Sequence, residues 1–269
     1  MNKYPLVSII IPTFNSGLHL YTCLKAIKKQ LYKNIEVIIV DNNSSDSTSN
    51  IAVNFGAKVL IRSSTMTQAR NLGVKSANGE YVVLLDSDME LSVCVISDCI
   101  KKVCSGYDGV IIPERIRETN FLSKCISLEK ALYKDELDML SVRFVSKSAF
   151  NAIGGLDENL VSGEDYDFLS RFRNNGFKLD FVSSFFYHNE PNNFRIILKK
   201  KYNYGKTLIN YFQKYPKKGF NQFVLRKPFL KIFLYYSKDP LHYSGLVLLK
   251  SIEYISAFFG FLSSIRRRL

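Results

Sequence analysis

Two carboxylates one residue apart, Asp86 and Asp88, close the apolar run Tyr81-Val82-Val83-Leu84-Leu85. Five consecutive apolar residues read as a strand buried on both faces, and an ionised carboxylate does not belong inside such a strand unless it is paired or metal-bound. The pair therefore belongs at the strand's carboxyl end, the edge where open α/β sheets bind ligands. Two hard oxygen donors there suit Mg²⁺ or Mn²⁺ carrying a substrate phosphate. The alternative is that Asp86 and Asp88 only open the following turn and cap a helix near Leu91.

Periodicity supplies the elements that must hold such a pair. A first strand at 6–11 is closed by Pro12-Thr13-Phe14-Asn15-Ser16, and a helix follows whose Tyr21, Leu24, Ile27 and Leu31 recur at helical spacing. A second strand at 35–40 ends in Asp41 and a cluster of Asn, Ser and Asp that also caps a segment running to Phe55. Strand 58–61 and a helix over 67–76, carrying Arg70, lead to the Asn78-Gly79 turn and the strand of the acid pair. Beyond it the pattern predicts a helix over 93–103, a strand at 110–112, a helix from Phe121 to Asp138, a short strand at 144–146 and a short helix around Ala149. A helix then opens at Glu164-Asp165 and ends at Asn175-Gly176, and a last strand at 178–182 precedes Phe186-Tyr187-His188. Strands alternating with helices imply βαβ units: an α/β fold with a mostly parallel, Rossmann-like central sheet flanked by helices.

The totals bound the classes. A chain of 269 residues, 46% hydrophobic and 13% aromatic, folds around one substantial core with room for an appendage. The net charge of +13 is concentrated in residues 195–269, which hold sixteen Lys or Arg against Asp239 and Glu253. The expected division is a near-neutral catalytic domain over 1–194 and a basic amphipathic helical region over 195–269. Cys23, Cys94, Cys99, Cys104 and Cys125 are odd in number and have no CxxC spacing, which disfavours a disulfide framework or a zinc site and suits a reduced, cytosolic setting.

Four stretches in order, VSIIIPTFN (7–15), EVIIVDNNSSDST (36–48), ARNLGVKSANGEYVVLLDSD (69–88) and GGLDENLVSGEDYDFLSRFRNNG (154–176), resemble the family 2 glycosyltransferases of the GT-A fold. The resemblance implies an inverting, metal-dependent transfer from a nucleotide sugar, a UDP-sugar being the expected donor. Pro12, Thr13 and Asn15 would line the nucleotide pocket, Asp41 would accept from the base, and Arg70 would contact the donor. Asp86 and Asp88 match the family's DxD motif, the first mainly on the ribose and the second on the Mn²⁺ or Mg²⁺ at the diphosphate, with both counted as metal-site acids. Asp165 matches the catalytic base, which takes the acceptor hydroxyl's proton while the cation neutralises the leaving diphosphate. His188, after the last core strand, would be a further metal ligand or a donor to the diphosphate. For each role a bland use competes: helix entry for Pro12 to Asn15, a cap for Asp41 and Asp165, a surface ion pair for Arg70 and a backbone-bonded histidine for His188. The chain has no Trp and so lacks the Gln-x-x-Arg-Trp motif of processive relatives, which favours transfer of a single sugar.

Two other classes compete. A sugar-phosphate nucleotidyltransferase would carry a Gly-rich, Arg-containing loop near residue 12, and PTFNSG is not one. A non-catalytic protein with a basic tail could bind nucleic acid or membrane, but no nucleic-acid module is recognisable, so no nucleic-acid partner is expected. Within the tail, 241–262 is long enough to span a bilayer yet contains Lys250 and Glu253. Its less apolar positions His242, Gly245, Leu249, Glu253, Ser256 and Gly260 form one stripe, opposite Tyr243, Val247, Tyr254, Phe258, Phe261 and Leu262. With 196–215 and 223–236, where Lys alternates with apolar residues, and Arg266-Arg267-Arg268, this predicts helices lying on the inner face of the cell membrane and an acceptor held there, such as a polyprenyl phosphate or lipid-linked saccharide. The alternatives are helices packed on the catalytic domain, helices packed on a second copy in a homo-oligomer, or a spanning helix.

Overall fold

The computed structural model describes residues 4–133, 136–137, 140–189, 193–224 and 227–266. They form two compact units, one of Met1–Arg115, Ser141–Glu158 and Asp165–Asn189, the other of Ile116–Leu140, Asn159–Glu164 and Glu190–Leu269. Residues 116–140 and 159–164, placed before the 194/195 boundary by the sequence, thus group with the C-terminal helices.

The first unit is built on β1 (Val7–Thr13), α1 (Gly17–Lys28), β2 (Ile35–Asp41), α2 (Thr48–Asn54), β3 (Lys58–Ile61), α3 (Met66–Lys75), β4 (Tyr81–Leu84), β5 (Met89–Leu91), α4 (Val95–Cys104), β6 (Gly109–Ile111) and β7 (Glu114–Ile116). After α5 (Phe121–Tyr133), which belongs to the second unit, come β8 (Phe144–Ser146), α6 (Lys147–Ala152), α7 (Glu164–Asn174), β9 (Leu179–Phe181) and β10 (Phe186–His188). Seven strands make one sheet in the order β3-β2-β1-β4-β8-β6-β9, and β5-β10-β7 make a small second sheet. The large sheet is parallel across β3, β2, β1 and β4, whereas β8 runs antiparallel to both β4 and β6.

Alternation along β1 divides the core into two layers. Val7, Ile9 and Ile11 face Leu20, Cys23, Leu24 and Ile27 of α1 and Val95, Ile96 and Cys99 of α4. Ile10 faces the other way, with Ala69 and Val74 of α3 and Phe168, Leu169 and Phe172 of α7. The inward stripe of α1 is therefore Leu20, Cys23, Leu24 and Ile27, and Tyr21 and Leu31, expected inside, are 47% and 62% exposed, Leu31 lying past the helix end. No helix starts near Leu91: the acid pair leads into strand β5, and α4 begins at Val95.

The second unit consists of α5, α8 (Phe194–Lys214), α9 (Pro216–Gly219), α10 (Lys231–Tyr235) and α11 (Pro240–Arg266). A Cβ on Gly205 would strike the carbonyl of Ala257 and one on Gly260 that of Tyr202, so α8 and α11 cross with their backbones in touch. Leu246 and Leu249 of α11 join Cys125 and Ile126 of α5 and Ile197 of α8 in a core. Beside it Lys250 Nζ lies 2.5 Å from Glu129 Oε2 and 2.6 Å from Glu253 Oε2, and Lys201 Nζ is 3.2 Å from Glu253. The less apolar stripe of α11 is thus its packed face and not a water-facing one, and Tyr243, expected on the opposite side, is buried with it. Small residues permit the close crossing and the two charges neutralise each other and their neighbours, while Leu241, Val247, Leu248, Ile255, Phe258, Phe259 and Leu262 stay exposed. α5, expected to run to Asp138, ends at Tyr133, and Glu136 and Leu137 lie outside any α-helix; Asp138, Glu190, Arg267 and Arg268 fall outside the described residues.

Candidate active site

Four strand ends and two helices of the first unit bring the candidate residues forward. In the β1/β2 register Thr13 pairs with Asp41, and the Thr13 hydroxyl donates to Asp41 Oδ1 at 2.8 Å. Asn15, held at φ 46°, accepts the Ser45 amide at 2.9 Å and donates its own amide to Ser44 Oγ, which ties the loop after β1 to the loop after β2. Asp46 in that second loop accepts the Gly17 amide at the start of α1. Buried Asp41 already accepts from Thr13, Ser44 N, Ser44 Oγ and Ser49 Oγ, which fill its four lone-pair positions. A base N–H reaching Asp41 must displace one of these hydroxyls. Asp41 therefore caps its own loop and not α2, which starts at Thr48.

Asp86 and Asp88 have opposite surroundings. Asp86 Oδ1 lies 2.6 Å from Arg70 Nη2 and Oδ2 lies 3.3 Å from Arg143 Nη1, which also donates to the Leu84 carbonyl at 3.2 Å. Burial works against ionisation of Asp86, but the two guanidiniums more than offset it and hold its carboxyl well below the usual carboxylate range. Arg70, on α3 and 2% exposed, reaches Asp165 Oδ1 with its other terminal nitrogen at 3.4 Å. Ser141 Oγ donates to Asp165 Oδ2 at 2.7 Å. Arg70 is thus shared between the first acid of the pair and the acid at the start of α7. The neighbouring Asp167 is fully buried and bound by Arg171 at 2.6 Å, a pairing internal to α7. Of the acids at that helix start, Asp165 is the one the fold turns into the cluster.

Among the described residues no arginine pairs with Asp88. Its Oδ1 is buried with no hydrogen-bond partner among the described residues, and its Oδ2 lies 3.3 Å from His188 Nε2. The β5/β10 ladder sets His188 opposite Met89, and the Asn189 amide donates to the Asp88 carbonyl at 2.9 Å. No group of three His, Cys, Asp or Glu side chains with metal-binding geometry occurs among the described residues. The donor set at hand is one carboxylate with an unused buried oxygen and one imidazole. This suits a hard divalent cation that keeps water and substrate phosphate oxygens in its shell, and it is too small for a cation held by protein alone.

The fold therefore gathers Asp86, Arg70 and Asp165 in one ionic chain, Asp88 and His188 in a second pair, and Thr13, Asn15 and Asp41 in a third group between two loops. Pro12 lies at the mouth of the last group, on β1 opposite Val40. Sequence reasoning missed Arg143, Ser141 and Glu114, whose Oε1 lies 2.7 Å from His188 Nδ1. The one available signal was Arg143 itself, a cation set directly against the apolar Phe144-Val145 of a strand.

Comparison with known proteins shows the family and the fold. Residues 8–142, half of the chain, match the profile of glycosyl transferase family 2. The chain is 32% identical over 151 residues to a GalNAc(5)-diNAcBac-PP-undecaprenol beta-1,3-glucosyltransferase of Campylobacter jejuni, a stretch covering 52% of this chain and 49% of that protein. Among solved structures, the mannosyltransferase PcManGT from Pyrobaculum calidifontis, in complex with GDP-Man and Mn²⁺, superposes with a TM-score of 0.68 at 13% identity over 98% of this chain and 88% of that one. S. aureus TarS 1-349 in complex with UDP superposes at 0.59 with 19% identity over 98% and 92%. With the family's profile spanning both strand-end loops and the acid pair, the chain belongs to glycosyl transferase family 2 and is a glycosyltransferase of GT-A fold.

Proposed function

We propose that this glycosyltransferase moves a single sugar, with inversion, from a UDP-sugar to a lipid-linked acceptor at the membrane, using Mn²⁺ or Mg²⁺. The observation that carries the chemistry is the unequal state of the acid pair: Asp86 is neutralised by Arg70 and Arg143, whereas Asp88 presents a buried, unpartnered oxygen beside His188. Asp88 and His188 would hold the cation, which when bound supplies positive charge against the diphosphate as it leaves. Asp86 serves the ribose side, and its metal role passes to Asp88 because both of its oxygens accept from arginine. Pro12, Thr13, Asn15 and Asp41 shape the base pocket. Asp165 takes the acceptor hydroxyl's proton, with Ser141 holding one of its oxygens and Arg70 the other until the donor's phosphates compete for that guanidinium.

The membrane part rests on α11. Its 27 residues are long and apolar enough by length and composition to cross a bilayer. One side is packed on α8 and α5, which leaves one apolar face for lipid and favours a helix lying in the surface of the cytoplasmic leaflet. Charges that would resist insertion, Lys250 and Glu253, are turned inward and paired. The PP-undecaprenol in the Campylobacter relative's name supports a lipid-linked acceptor, and the UDP-bound and GDP-Man-bound neighbours support a nucleotide-sugar donor. Titrating UDP by calorimetry with and without Mn²⁺ tests the site. Asp88→Ala should remove the Mn²⁺-dependent gain in affinity, and an unchanged Mn²⁺ dependence would refute the assignment.

A further inference from the structure

Glu114 has no part in the reading above, yet it borders the other side of His188. In the small sheet, ordered β5-β10-β7, the central strand β10 ends in His188. Asp88 stands just before β5 on one flank and Glu114 opens β7 on the other, so that a carboxylate, an imidazole and a carboxylate lie in a row across three strands. His188 Nδ1 is 2.7 Å from Glu114 Oε1 and Nε2 is 3.3 Å from Asp88 Oδ2, with the ring 12% exposed. The row is anchored from behind: the Phe186 amide donates to the Pro113 carbonyl at 3.1 Å and the Phe186 side chain is buried in the core.

A neutral imidazole donates from one nitrogen and accepts at the other, and an ionised carboxylate can only accept. Of the two carboxylates that face the ring, Glu114 is the nearer, 2.7 Å against 3.3 Å, and the tautomer in which it takes the Nδ1–H leaves the Nε2 lone pair directed to the Asp88 side. Histidines that bind metals are commonly held in this way, by an outer carboxylate that fixes the tautomer and the ring orientation. We infer that Glu114 is a positioning residue: it sets His188 with Nε2 presented beside the buried Asp88 oxygen, ready for a divalent cation that arrives with the donor diphosphate. This rests on the assignment of Asp88 and His188 to that cation. It adds that a third strand, from a part of the chain outside every motif quoted above, controls how tightly the cation is held.

The test reads metal binding and not turnover. Mn²⁺ is titrated into the full-length protein with saturating UDP, free Mn²⁺ is followed by electron paramagnetic resonance, and circular dichroism checks the fold. Glu114→Ala should weaken Mn²⁺ binding about tenfold or more, within the range found when such outer carboxylates are removed. Glu114→Leu, which keeps bulk on β7 while removing the acceptor, should do the same and serves if the Ala variant does not fold. Because Glu114 acts through His188, the Glu114→Leu/His188→Gln double variant should bind Mn²⁺ no more weakly than His188→Gln alone. Wild-type Mn²⁺ affinity in Glu114→Leu, with His188→Gln weakened, would overturn the role of Glu114 and leave the metal site standing. Losses that multiply in the double variant would also overturn it, since Glu114 would then act independently of the ring. Wild-type affinity in His188→Gln would instead remove the ligand assignment on which the inference rests.

Discussion

Asp165 meets two partners of different kinds, a hydroxyl from Ser141 and a guanidinium shared with Asp86. The arrangement orients the carboxylate, as a proton acceptor requires. Asp165→Asn keeps the shape and removes the basic oxygen. It should lower kcat about 10²–10⁴-fold while UDP affinity stays within about twofold, and a loss that appears in UDP affinity alone would move Asp165 from catalysis to donor binding. The place of the acid pair at the carboxyl end of β4 was legible in the sequence because five apolar residues can end in two acids only at a strand edge. What separates the two acids was not legible. Arg70 lies 16 residues before Asp86 and Arg143 lies 57 after it, and pairing across such distances leaves no local pattern.

At the scale of elements, α11 shows how a correct period can be read with the wrong face inward. Gly245, Glu253, Ser256 and Gly260 look like a solvated stripe by residue type, but small residues are what a close helix crossing needs, and Glu253 can be buried when Lys250, three residues before it, and Lys201 pair with it and Glu129 joins Lys250. In α1 the expected inward set included Tyr21 and Leu31, but Tyr21 is exposed and Leu31 lies past the helix end. The three-residue strand β5 was hard to foresee for another reason, being too short for alternation to show; β8 stands where the sequence put it, at 144–146, but its antiparallel direction in a sheet whose other pairings are parallel was not foreseen. The α8/α11 crossing yields a sharp expectation. Gly260→Leu must push α11 off the Tyr202 carbonyl and should lower the thermal midpoint by several degrees, as overpacking by about 1–3 kcal/mol implies. An unchanged melting curve would mean that the two helices do not cross at these glycines.

For the whole molecule, the alternation of strands with helices in residues 5–112 was enough to give a parallel α/β sheet, and the charge map was enough to mark the tail as different in kind. Leu241, Leu248, Ile255, Phe258 and Phe259 of α11 are exposed together along one helix, and Phe233 and Leu234 of α10 are exposed as well, a demand for cover that isolated surface residues would not make. The full-length protein should pellet with anionic vesicles at low salt and come off as salt rises. Replacing Leu248, Ile255 and Phe259 together by Ser should leave it in the supernatant with UDP binding intact, whereas undiminished pelleting would place the membrane contact elsewhere.

The most direct test of the account is a panel of UDP-, GDP- and dTDP-sugars incubated with the purified enzyme and Mn²⁺ and scored for slow hydrolysis, which needs no acceptor. Sugars on one nucleotide, expected to be UDP, should be cleaved with the nucleoside diphosphate released, and the cleavage should vanish with EDTA and in Asp88→Ala. Cleavage that persists in EDTA, or no cleavage and no binding of any nucleotide sugar, would contradict a metal-dependent transfer at Asp88 and His188.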